Sequence, residues 1–304
     1  MDGSHAIGVD LGGTKILAGV IARSGEIVRS HERPTPQDSQ EAVIAELEAA
    51  VVELLDDDVS AIGFGVPSPI DQPRGLVVEC VNVRLVDVPL RDLMHTRFGL
   101  PVGLDNDANA AAIGEWRAGA GRGVDDLVML TMGTGLGGGV ISRGTPMRGA
   151  RGGGMELGHV VIVHDGRPCQ GACRGRGHLE PYVTGTAATA VAHEAFGPTV
   201  DAHGLIRLAE EGDEKARGIL AEIGGYLGSG MGSFANIFEP ALIIIGGGFG
   251  VAAWEYVIPR AEEVMLREAL RPMRDEVRVV RAELGTAAGV IGAGFVAFEA
   301  LDAV

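Results

Sequence analysis

Short apolar runs alternate with longer stretches of helical spacing along this chain. Ala6 to Leu11 is mostly apolar and predicts a buried strand, which Gly12-Gly13-Thr14 turns. Ile16 to Ile21 predicts a second strand and Glu26 to Ser30 a third, together a β-meander. From Ser39 to Leu55 the period changes: Val43, Ile44, Leu47, Val51, Leu54 and Leu55 recur at helical intervals, with Ser39 suited to the N-cap. Ala61 to Val66 is strand-like again and ends at Pro67-Ser68-Pro69. Leu100 to Leu104 predicts a short strand, and Asp105-Asn106-Asp107 leads into an alanine-rich helix from about Ala108 to Ala118. Asp126 to Met132 and Leu136 to Ser142 predict two strands joined by Gly133-Thr134-Gly135. Helices dominate from Glu180 onward, interrupted by a fully apolar strand, Ala241 to Ile245, that runs into Gly246-Gly247-Gly248. Pro259 to Leu270 predicts an amphipathic helix, Val277 to Arg281 a strand and Ala287 to Leu301 a terminal helix.

A strand–glycine turn–strand unit therefore occurs twice, about 120 residues apart, each opening a stretch of mixed strands and helices. That pattern predicts two related α/β halves with a cleft between them. The 304 residues suit two domains of ordinary size.

Composition narrows the partners. The net charge of -16, from 25 basic and 41 acidic residues, repels phosphate backbones and anionic lipid, so neither nucleic acid nor a membrane surface is expected as a partner. The longest apolar stretch, Ala241 to Trp254, is glycine-interrupted and shorter than the roughly 20 residues that span a bilayer. No basic-then-apolar leader is evident. Cys80, Cys169 and Cys173 are too few for a disulfide scaffold and fit a reducing cytoplasm.

The first glycine turn has the chemistry of a phosphate clamp. Gly12 and Gly13 let backbone N–H groups approach an anion, Thr14 adds a hydroxyl and Lys15 a charge. Lys15 and Lys215 are the only lysines in the chain, so this one is less readily filler. Asp10, at the strand end, is placed to hold a nucleotide's magnesium through water. A plain hairpin turn is the alternative. The sequence is not a P-loop, because it lacks that spacing and no helix follows. Gly133, Gly135 and Gly138 spell G-x-G-x-x-G, with Glu156 about where a ribose-binding acid would stand, but the chain continues as a strand instead of opening a helix. A nicotinamide dehydrogenase is therefore not expected.

Asp10-Leu11-Gly12-Gly13-Thr14-Lys15, Asn106-Asp107-Ala108-Asn109-Ala110-Ala111, Thr131 to Gly139 and Glu156-Leu157-Gly158-His159 together resemble the ROK family of repressors, open reading frames and kinases. The resemblance covers nearly the whole chain in the right order. It implies an actin-like ATPase (ribonuclease H-like) fold of two α/β domains flanking an active-site cleft, assembled as a homodimer. On that pattern residues 1–106, with a C-terminal helix 288–304 packing back, form the smaller domain and 107–287 the larger. It also implies transfer of the ATP γ-phosphoryl group, with Mg2+, to a sugar hydroxyl, the 6-hydroxyl of glucose being the first expectation. Kinases for N-acetylglucosamine, N-acetylmannosamine, fructose and allose share most of these residues, and polyphosphate is an alternative donor. Gly12, Gly13, Thr14 and Lys15 match the family's first phosphate loop, Thr134 and Gly135 its second, and Gly246, Gly247 and Gly248 its adenosine-side glycines. Asn106 and Asp107 match the pair that grips the sugar, with Asp107 the catalytic base. Glu156, His159, Glu180 and Asn82 match further sugar contacts. Ser68 stands where the family more usually has glycine, in a stretch that approaches the sugar.

The chemistry of Asp107 agrees independently. Phosphoryl transfer needs a carboxylate to orient the hydroxyl and take its proton, and a helix N-terminus keeps that carboxylate ionised. Helix capping by Asn106 or Asp107 is the structural alternative.

His159, Cys169, Cys173 and His178 lie close in sequence, and Cys-x3-Cys-x4-His with an upstream histidine can supply four ligands for a closed, structural zinc. The family's usual set is one histidine and three cysteines beginning Cys-x-Cys, so this chain departs in spacing and in placing His178 where the last cysteine stands. A Cys169–Cys173 disulfide, free thiols, or His164 as a ligand are the alternatives. A DNA-reading regulator of the same family is not expected, since only five residues precede the first strand. A non-catalytic sugar sensor would be expected to lose Asp107 or the lysine-bearing turn, and both are intact.

Overall fold

The computed structural model describes residues 5–80, 82–171 and 173–304. The first half opens with β1 (His5–Leu11), β2 (Lys15–Ile21) and β3 (Ile27–Pro34), followed by α1 (Gln40–Leu54) and β4 (Val59–Val66). Ser39 does cap α1, its hydroxyl accepting from the Ala42 N–H at 3.2 Å. A small three-stranded sheet follows, β5 (Ile70–Asp71), β6 (Leu76–Glu79) and β7 (Val86–Val88), then α2 (Leu90–Phe98) and β8 (Val102–Asn106). The hydrophobic pattern missed this sheet and α2, because each is short. It also set the β8 strand two residues early.

The second half begins with α3 (Asp107–Ala118), β9 (Leu127–Met132), β10 (Leu136–Ser142) and β11 (Thr145–Pro146). Four helices come next: α4 (Glu180–Val183), α5 (Gly185–Phe196), α6 (Ala202–Glu210) and α7 (Glu214–Phe238). The chain ends with β12 (Leu242–Gly246), α8 (Gly248–Ala252), α9 (Trp254–Glu268), α10 (Met273–Glu276), β13 (Arg278–Arg281) and α11 (Ala288–Asp302). Pro259 lies inside α9 and does not open it, since the Tyr256 and Val257 N–H groups already bond the Ala253 carbonyl.

The repeat read from the two glycine turns is a repeat of topology. One sheet has the order β3-β2-β1-β4-β8 and the other β11-β10-β9-β12-β13. In each, an antiparallel hairpin adjoins two parallel strands. These sheets form the actin-like ATPase fold. Ile7, Val9, Leu47, Phe64 and Leu104 belong to the core between the first sheet and its outer helices. Leu130, Leu220, Leu227, Phe234 and Ile245 belong to the core under the helical layer of the second.

Two helices fill the space between the sheets. α11 lies on β1, β4 and β8, α3 lies on β10, and the two helices pack on each other. The approach is close: a side chain at Gly292 would collide with the Ala110 carbonyl, so only glycine fits. Gly285–Asp302 is long and apolar enough to cross a membrane, but its apolar faces are consumed by this packing, as in a core helix.

Candidate active site

Parallel strands bring chemistry to their carboxyl ends, where ligands bind in open α/β sheets. β1, β4 and β8 are neighbours, so Asp10, Gly65 and the Asn106-Asp107 corner come together at one edge of the first sheet. Gly65 has no side chain to separate the two acids: a methyl there would stand 3.6 Å from Asp107 Cα and 3.9 Å from Asp10 Oδ1. Asp10 and Asp107 line one cavity of about 480 Å³ together with Thr131, Gly246, Gly247, Gly248, Gly285 and Thr286. That size is ordinary for a small-molecule site. Gly247 has φ of +80 and its Cα faces the Met132 backbone, which leaves no room for any other residue.

The capping alternative for Asn106 holds. Its Oδ1 accepts from the Ala108 and Asn109 N–H groups at 2.9 and 3.1 Å. Its amide nitrogen donates to Asp107 Oδ1 at 3.0 Å and to the Ser68 carbonyl at 3.4 Å. Asp107 Oδ1 also takes the Ala108 N–H at 2.8 Å. Asn106 thus caps α3 and pins one oxygen of Asp107, leaving Oδ2 without a hydrogen bond among the described residues. Ser68 does not offer its hydroxyl to the cavity, because Oγ donates to the Pro69 carbonyl at 2.8 Å and accepts from the Glu79 N–H at 3.0 Å.

Burial raises the Asp107 carboxyl above its ordinary value, opposed by the Ala108 N–H and the Asn106 amide. Asp10 is pushed up to about 7, by burial first and then by the charge of Asp107, with Lys15 pulling the other way. Burial also raises Glu156, with His159 opposing and Asp107 and Glu180 adding to the rise. Two acids with raised affinity for protons in one cavity, with a third in their field, mark a site prepared for cationic or proton-transfer chemistry.

The first glycine turn is fixed from outside. The Gly12 carbonyl accepts from Thr35 Oγ1 at 2.7 Å, the Gly13 carbonyl from Gln37 Nε2 at 2.9 Å and the Thr14 carbonyl from the Thr35 N–H at 3.0 Å. Asn82 is exposed and its Cβ lies 3.6 Å from where a side chain on Gly13 would begin. Lys15 differs from expectation: its ammonium pairs with Glu32 at 2.7 Å, both side chains being exposed, and reaches Asp10 only through its charge. In the second turn, Gly133 and Thr134 line an adjoining cavity of about 550 Å³ that meets the first at Gly248. Gly135 does not line it. It packs against the Glu180 carboxylate, whose Oε2 accepts the Leu136 N–H at 2.9 Å.

His159, Cys169, Cys173 and His178 converge, with one ligand atom from each within 4.8 Å of the others. The two Nδ1 atoms are 3.2 Å apart, Cys169 Sγ is 3.6 Å from His159 Nδ1, and Cys173 Sγ is 3.7 Å from His178 Nδ1. A tetrahedron built on zinc bonds of about 2.0 Å to nitrogen and about 2.3 Å to sulfur has a nitrogen–nitrogen edge of about 3.3 Å and a nitrogen–sulfur edge of about 3.5 Å. The donor set and its spacing fit that ion. Both cysteines are unpaired, and His164 pairs with Asp165 outside the cluster. His159 Nε2 faces Glu156 at 4.0 Å, and Cys169 Sγ lies 3.9 Å from Glu180 Oε1, so the cluster joins the segments carrying both glutamates.

Two buried acids and a half-buried arginine carried no signal in the sequence. Asp105 and Glu115 have no exposed surface, and Arg148 bonds Asp105. Their partners are distant in sequence, which left no local signal.

The chain matches the ROK family model over residues 6–299. It belongs to the ROK family. A glucokinase of Streptomyces coelicolor is 33% identical over 313 residues, covering 96% of this chain and 97% of that protein. A ROK family glucokinase from Streptomyces griseus, solved in complex with glucose and AMPPNP, superposes with a TM-score of 0.82 at 34% identity, over 97% of this chain and 100% of that one. A ROK hexokinase from Thermus thermophilus superposes at 0.86 with 35% identity, over 99% of this chain and 100% of that one. The bifunctional enzyme NanE/NanK of Brucella melitensis is 34% identical over 95% of this chain and 53% of its own length. ROK membership thus rests on full-length similarity, while its relatives differ in what they act on.

Proposed function

We propose that this chain is a sugar kinase that transfers the γ-phosphoryl group of ATP to the 6-hydroxyl of glucose, with Asp107 as general base. The observation that carries the reading is Asp107 itself, pinned at Oδ1 and facing the same cavity as Asp10 and Gly246 to Gly248. Full-length similarity to glucokinases supports glucose as the acceptor. Similarity to a putative N-acetylmannosamine kinase from Listeria monocytogenes, at 26% identity over 97% of this chain, keeps N-acetylmannosamine, and N-acetylglucosamine with it, as the alternative within the same chemistry.

In this reading Asp107 Oδ2 accepts the proton of the sugar hydroxyl as its oxygen bonds to the γ-phosphorus. The bond to the β-γ bridging oxygen breaks, and ADP leaves with that electron pair. The carboxylate needs only modest basicity, and its fixed orientation does most of the work. Gly12, Gly13 and Thr14 on one side, and Gly133, Thr134 and Gly246 to Gly248 on the other, would hold the nucleotide. Asp10 would hold magnesium through water, and the ion would neutralise charge on the β- and γ-phosphates. Lys15 would have to exchange Glu32 for phosphate. Asn82, Asn106, Glu156, His159 and Glu180 would surround the sugar between residues 1–106 with α11 and residues 107–287. Zinc at His159, Cys169, Cys173 and His178 would be structural, since the four protein ligands close its tetrahedron. We carry the homodimer and a cytoplasmic location as parts of the same proposal, the latter supported by three free cysteines.

A coupled assay of ADP release tests the reading, with magnesium ATP against glucose, N-acetylglucosamine, N-acetylmannosamine, mannose and fructose. Glucose should be preferred, and Asp107→Ala should lower kcat by about 10²–10⁴-fold. Failure of folded wild-type protein to phosphorylate any of these sugars would remove the kinase reading.

A further inference from the structure

Asp105 is fully buried two residues before Asp107, and every bond it makes is directional. Oδ1 accepts the Asn106 N–H at 2.8 Å and the Asn109 amide at 3.2 Å, so it braces the corner between β8 and α3. Oδ2 accepts Arg148 Nε at 2.5 Å, and Nη2 of the same guanidinium donates to Glu299 on α11 at 2.6 Å. Arg148 belongs to the segment after β11, in the half of the chain that carries the second sheet. That segment is fastened to the first half again nearby. The Arg151 carbonyl accepts the Gln72 N–H at 2.8 Å, and the Arg151 guanidinium pairs with Asp71 at 2.7 Å. A few residues on it becomes Met155 and Glu156.

An ion pair between a fully buried carboxylate and a half-buried guanidinium is a weak source of stability, because desolvation offsets most of the attraction. What such a pair does well is fix placement, since a two-carboxylate fork leaves a planar guanidinium one orientation. We propose that Arg148 is a positioning residue for the phosphoryl transfer. Through Asp105 it fixes the corner that presents Asn106 and Asp107, and through its own segment it ties that corner to Glu156. This inference rests on the kinase reading above. Arg148 touches neither the first glycine turn nor Gly246 to Gly248, so its loss should be felt on the sugar side of the site and not on the nucleotide side.

The test is a kinetic comparison of Arg148→Lys and Arg148→Ala with wild type, each checked for a cooperative melt. Arg148→Lys keeps a charge beside Asp105 but cannot fork between two carboxylates. It should lower kcat about tenfold and raise the sugar KM several-fold, with the ATP KM within about twofold. Simple loss of folded enzyme would leave both KM values untouched. Arg148 also lines a cavity of about 510 Å³, open to solvent and roomy enough for a small cation. Methylguanidinium at millimolar concentration should therefore restore several-fold of the kcat lost in Arg148→Ala. Wild-type kinetics in folded Arg148→Lys, or sugar and ATP KM values rising together, would overturn the inference while leaving the kinase reading intact. If wild type turned over no sugar, both would fall together.

Discussion

Asp10 is the residue at which the site's charge arrangement becomes measurable as stability. Its carboxyl is raised from 3.8 to about 7, chiefly by burial and secondly by Asp107. An acid raised in the folded state keeps its proton after the unfolded chain has lost it. Its effect on stability is therefore nil below about pH 4, becomes progressively unfavourable as pH rises toward 7, and is flat above. The full shift corresponds to about 4 kcal/mol at pH 8, and the part falling between pH 5 and pH 8 to about 3 kcal/mol. Asp10→Asn removes the charge and keeps the size, which matters because Gly289 of α11 packs directly against this carboxylate. In metal-free buffer the variant should be the more stable protein, and its advantage in urea titrations should grow by about 3 kcal/mol between pH 5 and pH 8. Magnesium ATP should narrow the gap at pH 8, because a cation beside the ionised carboxylate relieves what burial imposes. The same variant should lose most of its activity. An advantage independent of pH, or no advantage at pH 8, would refute the assignment of burial as the dominant influence on Asp10.

Two further outcomes follow from the supporting groups. Protein purified without chelator should carry zinc at His159, Cys169, Cys173 and His178, and stripping it should raise the sugar KM more than the ATP KM, because the cluster anchors the segments of Glu156 and Glu180; no zinc by mass spectrometry, or unchanged kinetics after its complete removal, would count against this. Glu115 is buried and accepts three backbone N–H groups, from Ala120 at 2.9 Å, Glu283 at 3.1 Å and Leu284 at 2.7 Å. Glu115→Gln turns part of that acceptor into a donor facing donors, so it should cost about 2–3 kcal/mol in urea denaturation and raise the ATP KM, since Leu284 leads into Gly285 and Thr286 of the nucleotide cavity.

Much of this molecule was legible because its chemistry is local in sequence. A glycine turn needs residues side by side, so Asp10 to Lys15 and Gly133 to Gly135 stand out in the sequence as turns between strands. The apolar run before Gly246 and the Ser39 cap are local in the same sense. The short strands β5 to β7 were not legible, because two to four residues cannot establish a period. Nor was the pairing of Lys15 with Glu32, which depends on β2 and β3 being registered so that the lysine and the acid meet across the hairpin.

The same distinction explains why the candidate catalytic corner shows as two residues in the sequence while the structure makes it a larger unit. Asn106 and Asp107 stand out as a cap and a carboxylate at a helix start. Yet Asp107 is held by Asn106, Asn106 by Ser68, and the backbone of Asn106 by Asp105, which Arg148 fixes from 43 residues further along the chain. A capping asparagine would form whether or not catalysis depended on it, so capping by itself carries no functional weight. What distinguishes this corner from an ordinary helix start is that each polar atom of the cap is committed elsewhere, so that one carboxylate oxygen of Asp107 stays free toward the cavity. The cap's own bonds are local, to Asp107, Ala108 and Asn109, but the corner that carries them is held by Ser68 and, through Asp105, by Arg148, so its orientation requires the fold.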